Sequence, residues 1–266
     1  KPSGEYDAEA DNGAGAVGLT EDGKAIALLR HENRDTTALV RHDLATGDES
    51  GLLFADPKYD VMQPIKDEWT GRVIGAMYAA DQYEYKYFSE ENQALQAGLE
   101  KSFPGLSVHA TSMDKAKDRV IVAVQGPRLP PTYYFLDRTT HNATKILSAY
   151  PQLSEADLGE MKPYPYKARD GLEIPAYLTL PPNKDARNLP TIIMPHGGPD
   201  ARDVVGFDWW AQFLANRGYA VLQPNYRGSK GYGRKFTEAG LHQWGRAMQD
   251  DIADGVMKLD AAVIAD

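Results

Sequence analysis

Residues 191–200 read TIIMPHGGPD, in which a short apolar run ends in His-Gly-Gly-Pro. The two glycines, Gly197 and Gly198, carry backbone N–H groups that no side chain shields. Fixed N–H groups of this kind suit the negative charge that develops on a carbonyl oxygen during acyl transfer. A plain tight turn, in which the glycines only supply a positive φ, is the alternative. The apolar strand before the loop and the helix-like stretch FDWWAQFLANRG after it favour an oxyanion loop.

The second half of the chain alternates between strand-like and helix-like segments. The strand-like segments are short and apolar: EIPAYLTLP (173–181), TIIMPH (191–196) and YAVLQPN (219–225). One helix is predicted over 207–218, with Gly218 as its C-terminal cap, and a second over about 246–263. This alternation predicts a mostly parallel sheet with helices on both faces. One apolar stripe of the last helix is expected to pack on that sheet: Met248, Ile252, Val256, Leu259 and Val263.

The first half repeats one pattern three times. A polar turn precedes an apolar, β-branched run in EDGKAIALLR (21–30), WTGRVIGAMY (69–78) and AKDRVIVAVQ (116–125). A second strand-like segment follows each run: TTALVRHDLATGDES (36–50), QYEYKYFSEENQALQ (82–96) and TYYFLDRTTHNATKIL (132–147). The spacing of about 46 to 49 residues is typical of a four-stranded propeller blade.

We therefore interpret residues 17 to about 150 as about three propeller blades, with an ordinary antiparallel sandwich as the alternative. Propellers need about four to eight blades to close a ring. The N-terminal part of such a propeller is thus expected to lie outside this sequence.

Composition excludes several classes of protein. The chain has 266 residues and a net charge of −9 without a basic block, which argues against nucleic-acid and anionic-membrane surfaces. It has no cysteine, and its six histidines form no metal-ligand motif, so neither a metal nor another cofactor is expected. No apolar run is long enough to cross a bilayer. We expect a soluble protein, cytoplasmic or periplasmic, and the sequence does not distinguish between the two.

A second glycine-rich stretch, GYAVLQPNYRGSKGYGRKF (218–236), contains two further candidate residues. Its glycine spacing fits neither dinucleotide nor P-loop motifs. Ser229 is not in a nucleophile elbow, because Arg227 stands where that motif needs glycine. Arg227 either anchors a substrate carboxylate or carbonyl, or is buried against acidic residues such as Asp250 and Asp251. His196 precedes the loop glycines at a strand end, which favours packing beneath the turn over a role as general base.

These stretches together resemble the prolyl oligopeptidase family of serine peptidases, in the branch of acylaminoacyl-peptidases and dipeptidyl peptidases. The motifs that carry the resemblance are RDGLEIPAYLTLP, PTIIMPHGGPDARD, FLANRGYAVLQPNYRGSKGYGRKF and WGRAMQDDIADGV. They run in the family's order through residues 164–266. The resemblance implies β-propeller blades, here partial, followed by the N-terminal part of an α/β-hydrolase domain. Residues 1–163 would be the C-terminal blades, and residues 164–266 the first half of a truncated hydrolase domain.

The family resemblance implies a Ser-His-Asp acyl-enzyme mechanism acting on short peptides or acyl-peptides. The chain contains no G-x-S-x-G elbow, so the triad is expected beyond Asp266 and the chain as given is expected to be inactive. Of the family's active site, only one half of the oxyanion hole carries over, on Gly197 and Gly198, with the N–H of Gly198 as the favoured donor.

Two other functions are kept as alternatives. An α/β-hydrolase esterase also uses a His-Gly-Gly loop, and a propeller can act as a non-catalytic interaction module. A parallel sheet that ends before its central strand exposes an apolar edge and face, so self-association of the isolated chain is also expected.

Overall fold

The first half of the chain forms three consecutive antiparallel sheets. In the computed structural model, which describes residues 15–31, 33–48 and 51–265, each sheet is a simple meander of neighbouring strands. The first sheet consists of β1 (Gly15–Leu19), β2 (Ala25–Arg30), β3 (Ala38–Asp43) and β4 (Gly51–Phe54). The second consists of β5 (Val61–Lys66), β6 (Val73–Ala79) and β7 (Tyr83–Tyr87). After helix α1 (Glu90–Ser102), the third consists of β8 (Ser107–Met113), β9 (Arg119–Gly126), β10 (Leu129–Asp137) and β11 (Asn142–Ser148).

The three predicted repeat strands are confirmed as β2, β6 and β9. The strand-like segment 132–147 forms a hairpin of β10 and β11. At its turn, Asp137 accepts hydrogen bonds from the backbone N–H groups of Thr139 and Thr140. The first and second sheets pack against each other. Ala27 and Leu39 of the first sheet share one core with Val61 and Val73 of the second. The described residues contain no closed ring, and residues 1–14, assigned to the propeller half, lie outside them.

The segment 82–96 was interpreted as strand-like, and this is wrong for its second part. β7 ends at Tyr87, and the second part of the segment begins α1, whose Leu95 and Leu99 pack in the core of the third sheet. Ser89 caps the helix by accepting a hydrogen bond from the N–H of Asn92, and Glu90 and Glu91 favour its positive N-terminal end. The sequence Ser-Glu-Glu is typical of a helix start, but the repeat pattern favoured a strand at this position.

The second half contains a four-stranded sheet. Its strands are β12 (Met161–Pro163), β15 (Ala176–Thr179), β16 (Thr191–Ile193) and β17 (Ala220–Pro224), in the spatial order β12, β15, β17, β16. A short 3-10 turn (Glu155–Asp157) precedes the sheet, and the hairpin of β13 (Tyr166–Lys167) and β14 (Glu173–Ile174) lies within it in sequence.

The prediction of a mostly parallel sheet is wrong for this part of the chain. Only β16 and β17 are parallel, whereas β12–β15 and β15–β17 are antiparallel. Only β16 and β17 are joined by a crossover helix, α2 (Trp209–Asn216), which a parallel pair requires. The continuous apolar pattern of the strands therefore reports burial on both faces and not strand direction.

The predicted helix over 207–218 is confirmed as α2, and Gly218 follows its C-terminus with φ 98°. A short helix, α3 (Arg234–Glu238), and the long helix α4 (Ala247–Ala261) follow. The predicted apolar stripe of α4 is wrong in part. Its buried face consists of Met248, Asp251, Asp254, Gly255 and Leu259.

Close packing explains the difference in α4. A Cβ atom on Gly255 would lie 2.9 Å from the Leu222 side chain and from the Tyr166 hydroxyl, so the helix approaches the sheet at glycine. Val256 and Val263, expected to be buried, are 44% and 54% exposed. Met257 and Trp244 are also exposed. Self-association of the isolated chain stays a prediction.

Strand β12 is informative about the boundary between the two halves of the chain. It precedes residue 164, yet it pairs with β15 of the second half's sheet. The division into residues 1–163 and 164–266 stays a prediction, and this pairing favours a boundary a few residues earlier. Among the described residues, no helix is long and apolar enough to cross a membrane.

Candidate active-site loop

The His-Gly-Gly-Pro loop leaves the end of β16 at the edge of the sheet. Gly197 and Gly198 are both exposed, and neither N–H donates a hydrogen bond to an atom of the described residues. Gly198 has φ 125°, in the region that favours glycine. A Cβ atom there would lie 2.5 Å from the Asp200 nitrogen, whereas a Cβ on Gly197 would meet nothing within 4 Å. The backbone at Gly198 therefore requires glycine.

The His196 side chain packs inside this loop, as the sequence indicated. Its Nδ1 atom lies 2.8 Å from the Gly197 carbonyl oxygen, and its Nε2 atom lies 2.8 Å from Ser229 Oγ. The ring stacks on Tyr226 at a centroid distance of 4.7 Å. Burial lowers the pKa of His196. The imidazole is thus held by the loop itself and supports the conformation of the glycines.

The glycine-rich stretch after β17 supports the loop from below. The Tyr226 hydroxyl donates to the His196 carbonyl oxygen at 2.9 Å. Ser229 is fully buried, and its Oγ atom donates to the Tyr226 carbonyl oxygen at 2.6 Å. Since no substrate can reach this hydroxyl, Ser229 does not serve as a nucleophile.

The same stretch contacts the first half of the chain through two aspartates. Asp60 Oδ2 accepts from the Gly233 N–H at 3.0 Å, and the Asp60 N–H donates to the Gly231 carbonyl oxygen at 3.1 Å. Asp35 accepts from the N–H groups of Arg234 and Lys235. The loops after β16 and β17 are therefore held against the sheets that precede them.

Arg227 is buried against acidic residues, which is the second of the two roles that the sequence left open. Its Nε and Nη2 atoms donate to Asp251 at 2.8 and 2.7 Å, and its Nη1 atom donates to Asp170 at 2.8 Å. Asp251 is fully buried and Arg227 is 8% exposed. Asp250, the other expected partner, pairs with Arg169 instead. Substrate binding by Arg227 stays a prediction that this geometry does not favour.

Sequence reasoning missed Arg202, four residues after Gly198. Its guanidinium donates to the carbonyl oxygens of Ala79 and Ala80, each at 2.7 Å, and to the Tyr232 hydroxyl at 2.8 Å. It also lies 4.0 Å from the centroid of the Tyr232 ring. No motif in the sequence pairs Arg202 with residues more than a hundred positions earlier, so the contact is visible only in the fold.

The neighbouring Asp203 carries a carboxylate with one buried oxygen atom. Its backbone is held by the Asn225 side chain, which accepts from the Asp203 N–H at 2.8 Å and donates to its carbonyl oxygen at 3.0 Å. The Oδ2 atom is buried without a hydrogen-bond partner among the described residues. Burial, and then the charge of Asp208, raise the pKa of Asp203 to about 6.

Asp203→Asn is expected to stabilise the protein at pH 8 by about 2 kcal/mol and to change little at pH 4. In the unfolded chain the Asp203 pKa is near 3.8, and burial raises it to about 6 in the fold. The ionised form is therefore disfavoured by folding, and this penalty grows from about pH 4 and is complete above about pH 6. Thermal unfolding across this range measures the difference.

The control variant is Asp200→Asn, which removes an exposed carboxylate of the same loop that pairs with Lys230. It should shift stability little at either pH. If Asp203→Asn changed the stability equally at pH 4 and pH 8, the carboxyl of Asp203 would not have a raised pKa in the folded protein.

Residues 15–31, 33–48 and 51–265 contain no cluster of three or more histidine, cysteine or acidic side chains that could hold a metal ion. The donors gathered at the loop are backbone N–H groups, which suit an anionic oxygen.

The fold and this loop define a class of protein. Its first half forms blade-like sheets, and its second half is an α/β unit whose loop presents free N–H groups beside the sheet edge. Residues 205–266 match the sequence model of the prolyl oligopeptidase family. These residues belong to that family, as the motifs indicated.

Curated relatives agree with this assignment. Dipeptidyl aminopeptidase BIII of Pseudoxanthomonas mexicana is 38% identical over 250 residues, which are 90% of this chain and 35% of that protein. Dipeptidyl peptidase family member 6 of Caenorhabditis elegans is 34% identical over 174 residues, 58% of this chain and 24% of that protein. The chain thus spans about a third or less of the length of these relatives.

Solved structures show the same fold. A crystal structure of puromycin hydrolase aligns with a TM-score of 0.67 at 22% identity and covers 97% of this chain and 39% of its own. Prolyl oligopeptidase B from Galerina marginata aligns with a TM-score of 0.72 at 16% identity, over 98% of this chain and 37% of its own. At this level of identity, the likeness concerns the fold alone.

Proposed function

We propose that these residues belong to a serine peptidase that cleaves short peptides or acyl-peptides through an acyl-enzyme. The observation that carries the proposal is the exposed N–H of Gly198, which has no partner among the described residues and sits in a conformation that requires glycine. The names of the curated relatives, a dipeptidyl aminopeptidase and a dipeptidyl peptidase, support peptides as the substrate class.

In the proposed reaction, a serine hydroxyl attacks the peptide carbonyl carbon while a histidine accepts its proton. The carbonyl oxygen becomes negative, and the Gly198 N–H donates a hydrogen bond to it. Collapse of this intermediate expels the amine, which takes the proton from the histidine, and water then cleaves the acyl-enzyme in the same way. Gly198 thus stabilises both tetrahedral intermediates without changing its own position.

The nucleophile of this proposal lies outside residues 1–266. The sequence contains no G-x-S-x-G motif, and the one serine next to the loop, Ser229, is fully buried. We therefore propose that these 266 residues supply one oxyanion donor and part of the substrate's surroundings, and that they hydrolyse nothing alone. The partial propeller and the partial hydrolase domain, which meet near residue 163, are part of the same proposal.

The test is hydrolysis of a small panel by the full-length protein: a dipeptidyl amide with a free amino terminus, the same amide N-acetylated, and a short acyl ester. Cleavage of either amide supports the peptidase, and the preference between them separates dipeptidyl from acyl-peptide specificity. Cleavage of the ester alone would favour an esterase. Cleavage of none would favour a non-catalytic interaction module and overturn the proposal.

A further inference from the structure

The Arg202 side chain links the His-Gly-Gly-Pro loop to the second sheet of the first half. Its Nη1 and Nη2 atoms each donate to one of two consecutive carbonyl oxygens, those of Ala79 and Ala80, at 2.7 Å. These oxygens lie where β6 ends and the turn to β7 begins. A planar guanidinium can bridge two neighbouring acceptors in this way, which the single nitrogen of a lysine cannot reproduce.

Aromatic side chains hold the guanidinium in place. It lies over the Tyr232 ring at 4.0 Å and over the Tyr59 ring at 5.7 Å, measured to the centroids. The Tyr232 hydroxyl accepts from Arg202 at 2.8 Å and from Asn225 at 2.7 Å. Three segments therefore meet at one cation: the loop after β16, the loop after β17 and the turn after β6.

A second bond ties the same loop to the same turn. The Val205 N–H donates to the Asp81 carbonyl oxygen at 2.6 Å. Upstream, the Ala201 carbonyl oxygen accepts from the Lys230 N–H at 3.1 Å. Residues 201–205 are thus attached along their length, and a displacement of the second sheet would pull on the backbone that follows Gly198.

Arg202 forms no ion pair with a carboxylate of the described residues, and its polar contacts there are with carbonyl oxygens and hydroxyls. A guanidinium used only for stability is commonly paired with an acid, as Arg227 is with Asp251. The two shortest bonds of Arg202, to Ala79 and Ala80, instead cross from one half of the chain to the other. These bonds fix the position of the loop relative to the second sheet and neutralise no charge.

We propose that Arg202 is a positioning residue that makes the placement of the Gly198 N–H depend on the second sheet of the propeller half. The proposal deepens the proposed function and rests on it, because Gly198 is taken as the oxyanion donor. When the sheet and the loop are in contact, the N–H is held on the reacting oxygen. When they separate, the donor moves away and the carbonyl oxygen loses that hydrogen bond.

The kinetic test uses the full-length protein and a peptide amide that it cleaves. Arg202→Met is expected to lower kcat at least tenfold while KM changes less than threefold, because a misplaced oxyanion donor affects the transition state more than binding. Arg202→Lys, which keeps the charge, is expected to restore less than half of the lost activity. The control is Arg217→Met, which removes an arginine that directly follows α2 and stacks on Phe213. Its kcat and KM should stay within twofold of those of the parent protein.

A loss confined to KM, or full activity in Arg202→Lys, would overturn the proposal. A second measurement is independent of catalysis. Amide hydrogen exchange at Asp203 and Val205, whose N–H groups are hydrogen-bonded, should accelerate at least tenfold in Arg202→Met and in Arg202→Lys, and not in Arg217→Met. Unchanged exchange in both Arg202 variants would also overturn it. A parent protein that cleaves no peptide contradicts the proposed function instead, and the exchange measurement then decides whether Arg202 holds the loop.

Discussion

Gly198→Ala in the full-length protein is expected to lower kcat for peptide hydrolysis about 100-fold. The added Cβ atom would lie 2.5 Å from the Asp200 nitrogen, and φ of 125° disfavours any side chain. The loop must therefore shift, and the N–H of Gly198 would leave the position of the reacting oxygen. Loss of one oxyanion donor costs about 100- to 1000-fold in kcat. Steady-state kinetics with a peptide amide measures the effect.

Gly206→Ala is the matched control for this variant. It lies in the same connection between β16 and α2, and a Cβ atom there would meet nothing within 4 Å. Its kcat should remain within about twofold of that of the parent protein. If Gly198→Ala retained a tenth or more of the parent kcat with an unchanged fold, Gly198 would not be the oxyanion donor.

Arg227→Met is expected to lower the free energy of unfolding by about 3 to 5 kcal/mol, the usual cost of leaving a buried charge without its partner. Asp251 is fully buried and accepts three hydrogen bonds from Arg227, one from its N–H and two from its side chain. The methionine fills the space of the side chain but supplies no donor. Chemical denaturation of the parent and variant proteins measures the difference.

Two further variants make this result specific. Arg128→Met removes a surface ion pair with Glu155, in which both side chains are 45% or more exposed, and should cost less than about 1 kcal/mol. Replacing both partners, with Arg227→Met and Asp251→Leu, should recover much of the lost stability. If Arg227→Met instead raised KM and left stability unchanged, Arg227 would be a substrate-binding residue.

Local patterns in the sequence predicted most of the strands and α2. The β-branched runs that became β2, β6 and β9 carry their own signal, as do the strands around TIIMPH and YAVLQPN. The same patterns did not predict strand direction, because an apolar run reports burial and not its neighbours. Helix α1 was hidden by the repeat, although Ser89 and the two glutamates after it mark its start.

The buried face of α4 shows a different limit. Apolar spacing selected Val256 and Val263, but the helix packs through Gly255 and through acidic residues whose partners lie elsewhere. Asp251 is buried because Arg227, 24 positions earlier, reaches it. Such pairing depends on the tertiary structure, and the spacing of apolar residues along a helix does not predict it.

At the site, the sequence singled out Gly197 and Gly198 as oxyanion donors, which stays a prediction, and it rejected Ser229 as a nucleophile. Both interpretations rested on short motifs. Arg202 was missed because its partners, Ala79 and Ala80, are carbonyl oxygens with no side-chain signature. Asp203 was missed for a similar reason. Its raised pKa follows from burial beside Asp208, which only the folded loop creates.

The central claim is that these residues carry an oxyanion donor for a serine outside their own sequence. The most direct measurement is fluorophosphonate labelling of the full-length protein and of the 266-residue chain, followed by mass spectrometry of the labelled peptide. We expect one labelled serine in the full-length protein, outside residues 1–266, and no label on the shorter chain. A label on any serine within residues 1–266, or no label on the full-length protein, would contradict the account.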